Sequence, residues 1–185
     1  MSRAAAKARF ATDLLAEERL QRLARARSII ADCMHVLVHA ADESAMLQEM
    51  CRIAVEQGGH RSAWIGFAVH DEPKSVTPVA SAGIALGEVH DLGLTWGEKP
   101  KGRGAVGTAL RTRRPKVIDD YFAQAEYAAW REFAALHGFR SGVALPLRVD
   151  ESCTGVLMIN SPETRRFDAE EVVLLEELAG DIAFG

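Results

Sequence analysis

The chain has 185 residues, 48% of them apolar, and a formal net charge of −4. That length holds one domain with a sizeable core, and so small a charge singles out neither nucleic acid nor a membrane surface as a partner. No apolar run approaches the roughly 20 residues that span a bilayer, the Met1-Ser2-Arg3-Ala4 terminus starts no secretory signal, and the odd, widely spaced Cys33, Cys51 and Cys153 fit reduced thiols in a cytoplasmic protein.

In chain order, a helix is expected over about residues 13–41. Ala16, Leu20, Leu23, Ile30, Met34, Leu37 and Ala41 fall at alternating spacings of four and three, broken by Arg27, which makes a heptad seam able to pair with a second copy. Residues 1–27 then form a helical extension and 28–185 the domain proper. A cap-like break at Asp42-Glu43-Ser44 precedes a second helix over 45–57, ended by Gly58-Gly59. Arg61–His70 and Val76–Gly83 form a first hairpin around Asp71-Glu72-Pro73-Lys74. Residues 87–97 are irregular, 99–104 are loop, 105–113 a short helix, 116–119 a short strand, and 127–137 a helix whose apolar set is Trp130, Phe133, Ala134 and Leu136.

The stretch from Phe139 to Asn160 carries the clearest pattern. Ser141, Val143, Leu145, Leu147 and Val149 share one face of a strand, and Gly142, Ala144, Pro146 and Arg148 share the other. After a Val149-Asp150-Glu151 turn, Thr154, Val156 and Met158 alternate with Cys153, Gly155, Leu157 and Ile159. Because both faces of this second strand are largely apolar, the sheet needs cover on each side. Asp168, with Glu171 three residues on, opens a last helix in a capping-box pattern. Its apolar ending at Ala183-Phe184-Gly185 suggests a helix that runs on into a following segment. Together these elements predict an α+β fold with a central antiparallel sheet of five or six strands. The first and last helices lie on one face, and short helices and loops form a pocket on the other.

Several phrases, in this order, resemble the GAF domain family of small-molecule sensors: Trp64-Ile65-Gly66-Phe67, Gly104-Ala105-Val106-Gly107-Thr108-Ala109-Leu110-Arg111, Arg140-Ser141-Gly142-Val143-Ala144-Leu145-Pro146-Leu147, Gly155-Val156-Leu157 and Phe167-Asp168-Ala169-Glu170-Glu171. Leu178-Ala179-Gly180-Asp181-Ile182-Ala183-Phe184-Gly185 is similar to the phrase that leads such domains into a further module. The resemblance covers roughly residues 28–185. It implies a covalently linked output domain such as a diguanylate cyclase, phosphodiesterase or kinase, and with the first two a place in cyclic-di-GMP signalling.

Family ligands are diverse, and local departures narrow them. Asn160 is followed by Ser161 rather than the Lys of the cyclic-nucleotide binders, and no Cys lies between residues 120 and 137 for covalent bilin attachment. Val106 stands where the free methionine sulfoxide reductases of the family carry a Cys in the Gly-rich phrase. With no nucleophile–base pair in sight, the chain is expected not to be an enzyme, and no cofactor or metal is expected. His35 and His39 have metal-compatible spacing but lack a third ligand.

By the resemblance, the ligand lies under a lid formed by residues 87–138. The expected ligand-contacting residues are Trp64, Trp96, Asp119, Tyr121, Tyr127, Trp130, Phe133, Arg140 and Ser141. The expected partners are a small molecule and a second copy of the chain, paired through the first and last helices. The competing expectation is a ligand-free dimerisation scaffold. The run Lys99, Lys101, Arg103, Arg111, Arg113, Arg114 and Lys116 forms either a solvated basic face or a docking surface for an anion.

Overall fold

A computed structural model describes residues 3–40, 42–149 and 152–184. Ala41 of the heptad seam, the turn residues Asp150 and Glu151, and Gly185 lie outside them. In chain order the elements are α1 (Arg3–His39), α2 (Glu43–Glu56), β1 (Ser62–Ala68), β2 (Val76–Ala82), α3 (Leu86–Asp91) and α4 (Ala105–Thr112). They continue with β3 (Lys116–Ile118), α5 (Arg131–His137), β4 (Ser141–Val149), β5 (Ser152–Ser161) and α6 (Ala169–Phe184). Two 3-10 turns, Pro100–Arg103 and Ala125–Trp130, replace what the sequence suggested as plain loop and as the first part of the α5 helix. α1 begins ten residues earlier than its apolar periodicity implied and passes position 27 without interruption.

The five strands form one antiparallel sheet in the order β2-β1-β5-β4-β3. β5 is central, and its Leu157 faces Leu145 of β4 and Ile65 of β1 in register. Strand alternation then sorts the residues. Ala63, Ile65, Val143, Leu145, Leu147, Leu157 and Ile159 point at α1, α2 and α6. Trp64, Ala144, Val156 and Met158 point at the lid of short helices. Burying each large side chain of this kind stabilises by about 1.5–3 kcal/mol.

α2 is capped by Asp42, whose Oδ1 accepts from the Ala45 amide at 2.8 Å. Asp168 caps α6 in the same way, accepting from the Glu171 amide at 2.9 Å. The expected reciprocal half of that capping box is not what Glu171 does. Its carboxylate turns inward and bonds the Arg166 guanidinium, with both side chains buried. α1 and α6 run in the same direction, since Arg19 pairs with Glu170 at one end and Asp181 faces Cys33 near the other.

α1 carries two apolar stripes. Ala26, Ile29 and Cys33 pack into the domain. Leu20, Met34 and Val38 remain exposed, at 67%, 39% and 71%, so the predicted seam is divided: Ala16, Leu20 and Met34 face outward, while Leu23, Ile30 and Leu37 are partly buried, the last two against the core. Leu136 also departs from expectation. Placed in the apolar set of α5, it is 77% exposed, because α5 spans only two turns and turns Ala134 inward. Among the described residues no helix is long and apolar enough to cross a membrane.

Candidate functional site

The lid is held together by backbone contacts that only glycine permits. A Cβ on Gly107 would lie 2.1 Å from the Gly102 carbonyl oxygen, and one on Gly102 would lie 1.9 Å from that of Gly97. Residues 97–102 therefore rest directly on the first turn of α4. Arg111 of α4 then locks them, its Nη1 donating to the carbonyls of Trp96, Gly97 and Gly102 at 2.8, 2.9 and 2.7 Å. Much of the basic run is engaged in the same internal way. Lys101 donates to the Leu92 carbonyl at 2.9 Å, Arg103 to that of Glu98 at 3.3 Å, and Lys116 pairs with Glu126 at 3.1 Å.

Beneath this lid is a cavity of about 50 Å³, several times the roughly 10–15 Å³ a single water needs. Its floor is Trp64 of β1 with Met158 and Asn160 of β5. Its walls are Val106 of α4, Ile118 of β3, Tyr121, and Phe133 and Ala134 of α5, with Phe139 ahead of β4. Lys101, exposed, and Trp130, partly buried, make up its solvent-facing side, with Gly104 buried against Trp130.

Gly142 makes the floor possible. A Cβ there would meet Met158 Cε at 2.8 Å and Asn160 Oδ1 at 2.9 Å. The main polar feature inside is a relay across three elements. Tyr121 donates its hydroxyl to Asn160 Oδ1 at 2.8 Å, and Asn160 Nδ2 donates to Ser62 Oγ at 3.1 Å. Burial pushes the Tyr121 phenol well above its ordinary value, so it stays a neutral donor.

Of the nine residues expected to contact a ligand, Trp64, Tyr121, Trp130 and Phe133 line this cavity. The other five sit elsewhere. Trp96 faces a separate open groove beside His70, Arg111 and Cys153, its Nε1 donating to the Val69 carbonyl at 2.9 Å. Tyr127 is fully buried behind Tyr121, ring edge to ring face, 5.9 Å between centroids. Its hydroxyl makes no hydrogen bond of good geometry, and burial with the adjacent Glu126 carboxylate pushes its phenol up.

The Asp119 carbonyl accepts from the Arg165 amide at 2.8 Å. Arg140 is half exposed, pairing with Asp120 at 2.9 Å and lying over the Phe122 ring. The Phe122 amide and that guanidinium hold the Asp120 carboxyl below its usual range. Ser141 is fully buried on the opposite, helix-covered face. Among the lining residues outside those nine are Asn160, Met158 and Phe139. Strand parity was the signal that could have found the first two, since they alternate with Ile159, which shares the helix-side face with Val143.

Two of the three cysteines are inert core residues. Burial pushes Cys33 and Cys51 up to about 12, far from a reactive thiolate.

The sequence model of the GAF domain matches residues 40–185. No curated protein sequence matches the chain. Among solved structures, the GAF domain of a phosphoenolpyruvate-protein phosphotransferase from Coxiella burnetii superposes at TM-score 0.72, with 18% identity over 88% of this chain and 92% of that one. A free methionine-R-sulfoxide reductase from Neisseria meningitidis, solved with its substrate, superposes at 0.70 with 21% identity over 88% of each chain. The reduced form of the Staphylococcus aureus enzyme gives 0.64 with 20% identity over 86% and 93%. These likenesses establish the fold, and they correct one expectation. Val106 lines the cavity where a Cys was looked for, yet a fold that also serves reductases gives no support to ruling out catalysis.

Proposed function

From the premise that this chain belongs to the GAF domain family, whose members are sensory and regulatory, we propose that it binds a small molecule in the cavity under the lid and relays occupancy through a helical dimer. The observation that carries this is the cavity itself: an aromatic-walled space over the central strand, with one buried polar relay at its base. Apolar pockets with few convergent polar groups are the usual form of small-molecule sites. Trp130, only partly buried, fills the mouth of the free protein and moves aside for a ligand, so binding shifts the population of lid arrangements.

The outer stripe of α1 supports the second half of the proposal. Leu20, Met34 and Val38, with Ala24 and Ala31 between them, form an exposed apolar line at coiled-coil spacing. A second copy covers it, and the co-directional α1 and α6 carry the change toward a linked output domain. Titrating the protein with metabolites while following Trp fluorescence and melting temperature tests the binding half. A ligand raises the melting temperature and quenches Trp130, whereas a silent screen with an intact dimer favours a ligand-free scaffold. Light scattering on a Leu20→Glu, Met34→Glu variant tests the relay half. The variant is expected to be a folded monomer, and a persisting dimer would remove α1 from the interface.

A further inference from the structure

Resting on that reading of the cavity, we infer that its ligand is a small monoanion with an apolar body, an aromatic or branched aliphatic carboxylate. The carboxylate sits at the mouth by Lys101 and Trp130. The lining is lopsided in its polar chemistry. Among the described residues around the cavity none is acidic, and the single charge is the Lys101 ammonium. That ammonium has three N–H donors and uses one on the Leu92 carbonyl at 2.9 Å, leaving two for a guest.

The Trp130 indole points the same way. Its Nε1 lies against Gly104, 2.7 Å from where a Cβ would be, and among the described residues it donates to no acceptor. Lys101 lies within one 3-10 turn and Gly104 caps it, so both donors meet the cavity beside that turn. Two acceptors near the cavity are already engaged. Asn160 Oδ1 accepts from Tyr121 and the Leu92 carbonyl from Lys101. The Tyr121 hydroxyl oxygen keeps an acceptor site, but among the described lining residues the only charge is positive, which suits an anion and repels an ammonium.

The rest of the lining sets the body of the ligand. Trp64, Phe133, Phe139 and Met158 offer ring faces and a polarisable thioether, with no second charge to satisfy a dicarboxylate or a zwitterion. The cavity of about 50 Å³ is well below the roughly 150 Å³ that takes up benzene, so a body of one ring or a short branched chain enters only once Trp130 swings out.

Titration calorimetry on the whole chain with benzoate, phenylacetate and isovalerate, against benzamide and benzylamine, tests this. At least one carboxylate is expected to bind about tenfold or more tightly than benzamide, in keeping with a charge-assisted hydrogen bond, and benzylamine not at all. Lys101→Met should erase that advantage while leaving benzamide binding unchanged. Trp130→Phe, which keeps the ring and removes the donor, should reduce it in part, and Lys99→Met, away from the cavity, should not. Equal or tighter binding of benzamide or benzylamine, or carboxylate binding indifferent to Lys101→Met, overturns the anion and leaves the ligand site standing. Silence from every member of the panel overturns the anion and counts against the ligand site as well.

Discussion

The two faces of the sheet are built on opposite principles. On the helix side, α1, α2 and α6 lay long apolar stripes against Ile65, Leu145, Leu157 and Ile159, forming the larger apolar core. That core encloses one buried ion pair, Arg166 with Glu171. On the lid side no covering element exceeds eight residues, a cavity remains, and a smaller apolar cluster is supplemented by backbone staples. The first face is made to hold one arrangement, and the second is made so that one space inside it can change occupancy. On the proposed reading, ligand binding belongs on the lid side and relay to the helices on the other.

Breaking the helix face should cost most. Glu171→Ala leaves the Arg166 charge buried and unpaired, and is expected to lower stability by about 3–5 kcal/mol in urea unfolding. Replacing both partners with Met and Leu should restore much of it. Leu145→Ala, fully buried, should cost about 2–5 kcal/mol by the same measurement.

On the lid side, Arg111→Met removes three carbonyl contacts at once. A loss of about 2–3 kcal/mol is expected, with amide exchange accelerating over 96–103 while the strands stay protected.

A third contrast is pH. His60 is buried, stacked on Phe167 at 5.3 Å, and its Nδ1 finds no partner. Burial first, then the Arg166 and Arg25 charges, lower its pKa to about 3. The unfolded chain binds this proton near pH 6.5 and the folded chain does not, so stability falls as pH drops from about 6.5 toward 3, by at most about 1.4 kcal/mol per unit. Between pH 6.5 and 5, before the carboxylates titrate, His60→Phe should flatten that slope.

The smallest effect belongs to the cavity. Ala134→Val fills part of it and should raise the melting temperature by a few degrees at most, about 1 kcal/mol, while abolishing any response to a ligand.

Much of this division was legible in the chain. The alternation of Val143, Leu145 and Leu147 against Gly142, Ala144 and Pro146 already named the two faces, and Asp42 and Asp168 already marked helix starts. The candidate site was less so. Tyr121, Trp130 and Phe133 stood out as aromatics in a lid, but aromatic character alone could not separate them from Trp96 and Tyr127, which pack elsewhere. What separates them is where a loop of glycines lets the backbone pass, a matter of contacts distant in sequence. Ser141 is the sharper lesson, because its place beside Val143 on alternate positions put it on the helix side from the start. Glu171 shows the limit of local patterns. A capping box is written into residues 168–171, but a buried arginine five positions earlier offers the carboxylate a charged partner, and that partner wins.

The grip of Arg111 on three carbonyls has a kinetic corollary. Because one guanidinium joins α4 to the 96–102 rim, and the Tyr121 hydroxyl joins the lid to the central strand, the covering segments should not fray piecemeal. They should open as a single cooperative unit, with amides from Trp96 to Leu110 sharing one opening free energy well below that of the sheet. A guest entering beneath them would then be timed by that one event, whatever its own rate of diffusion.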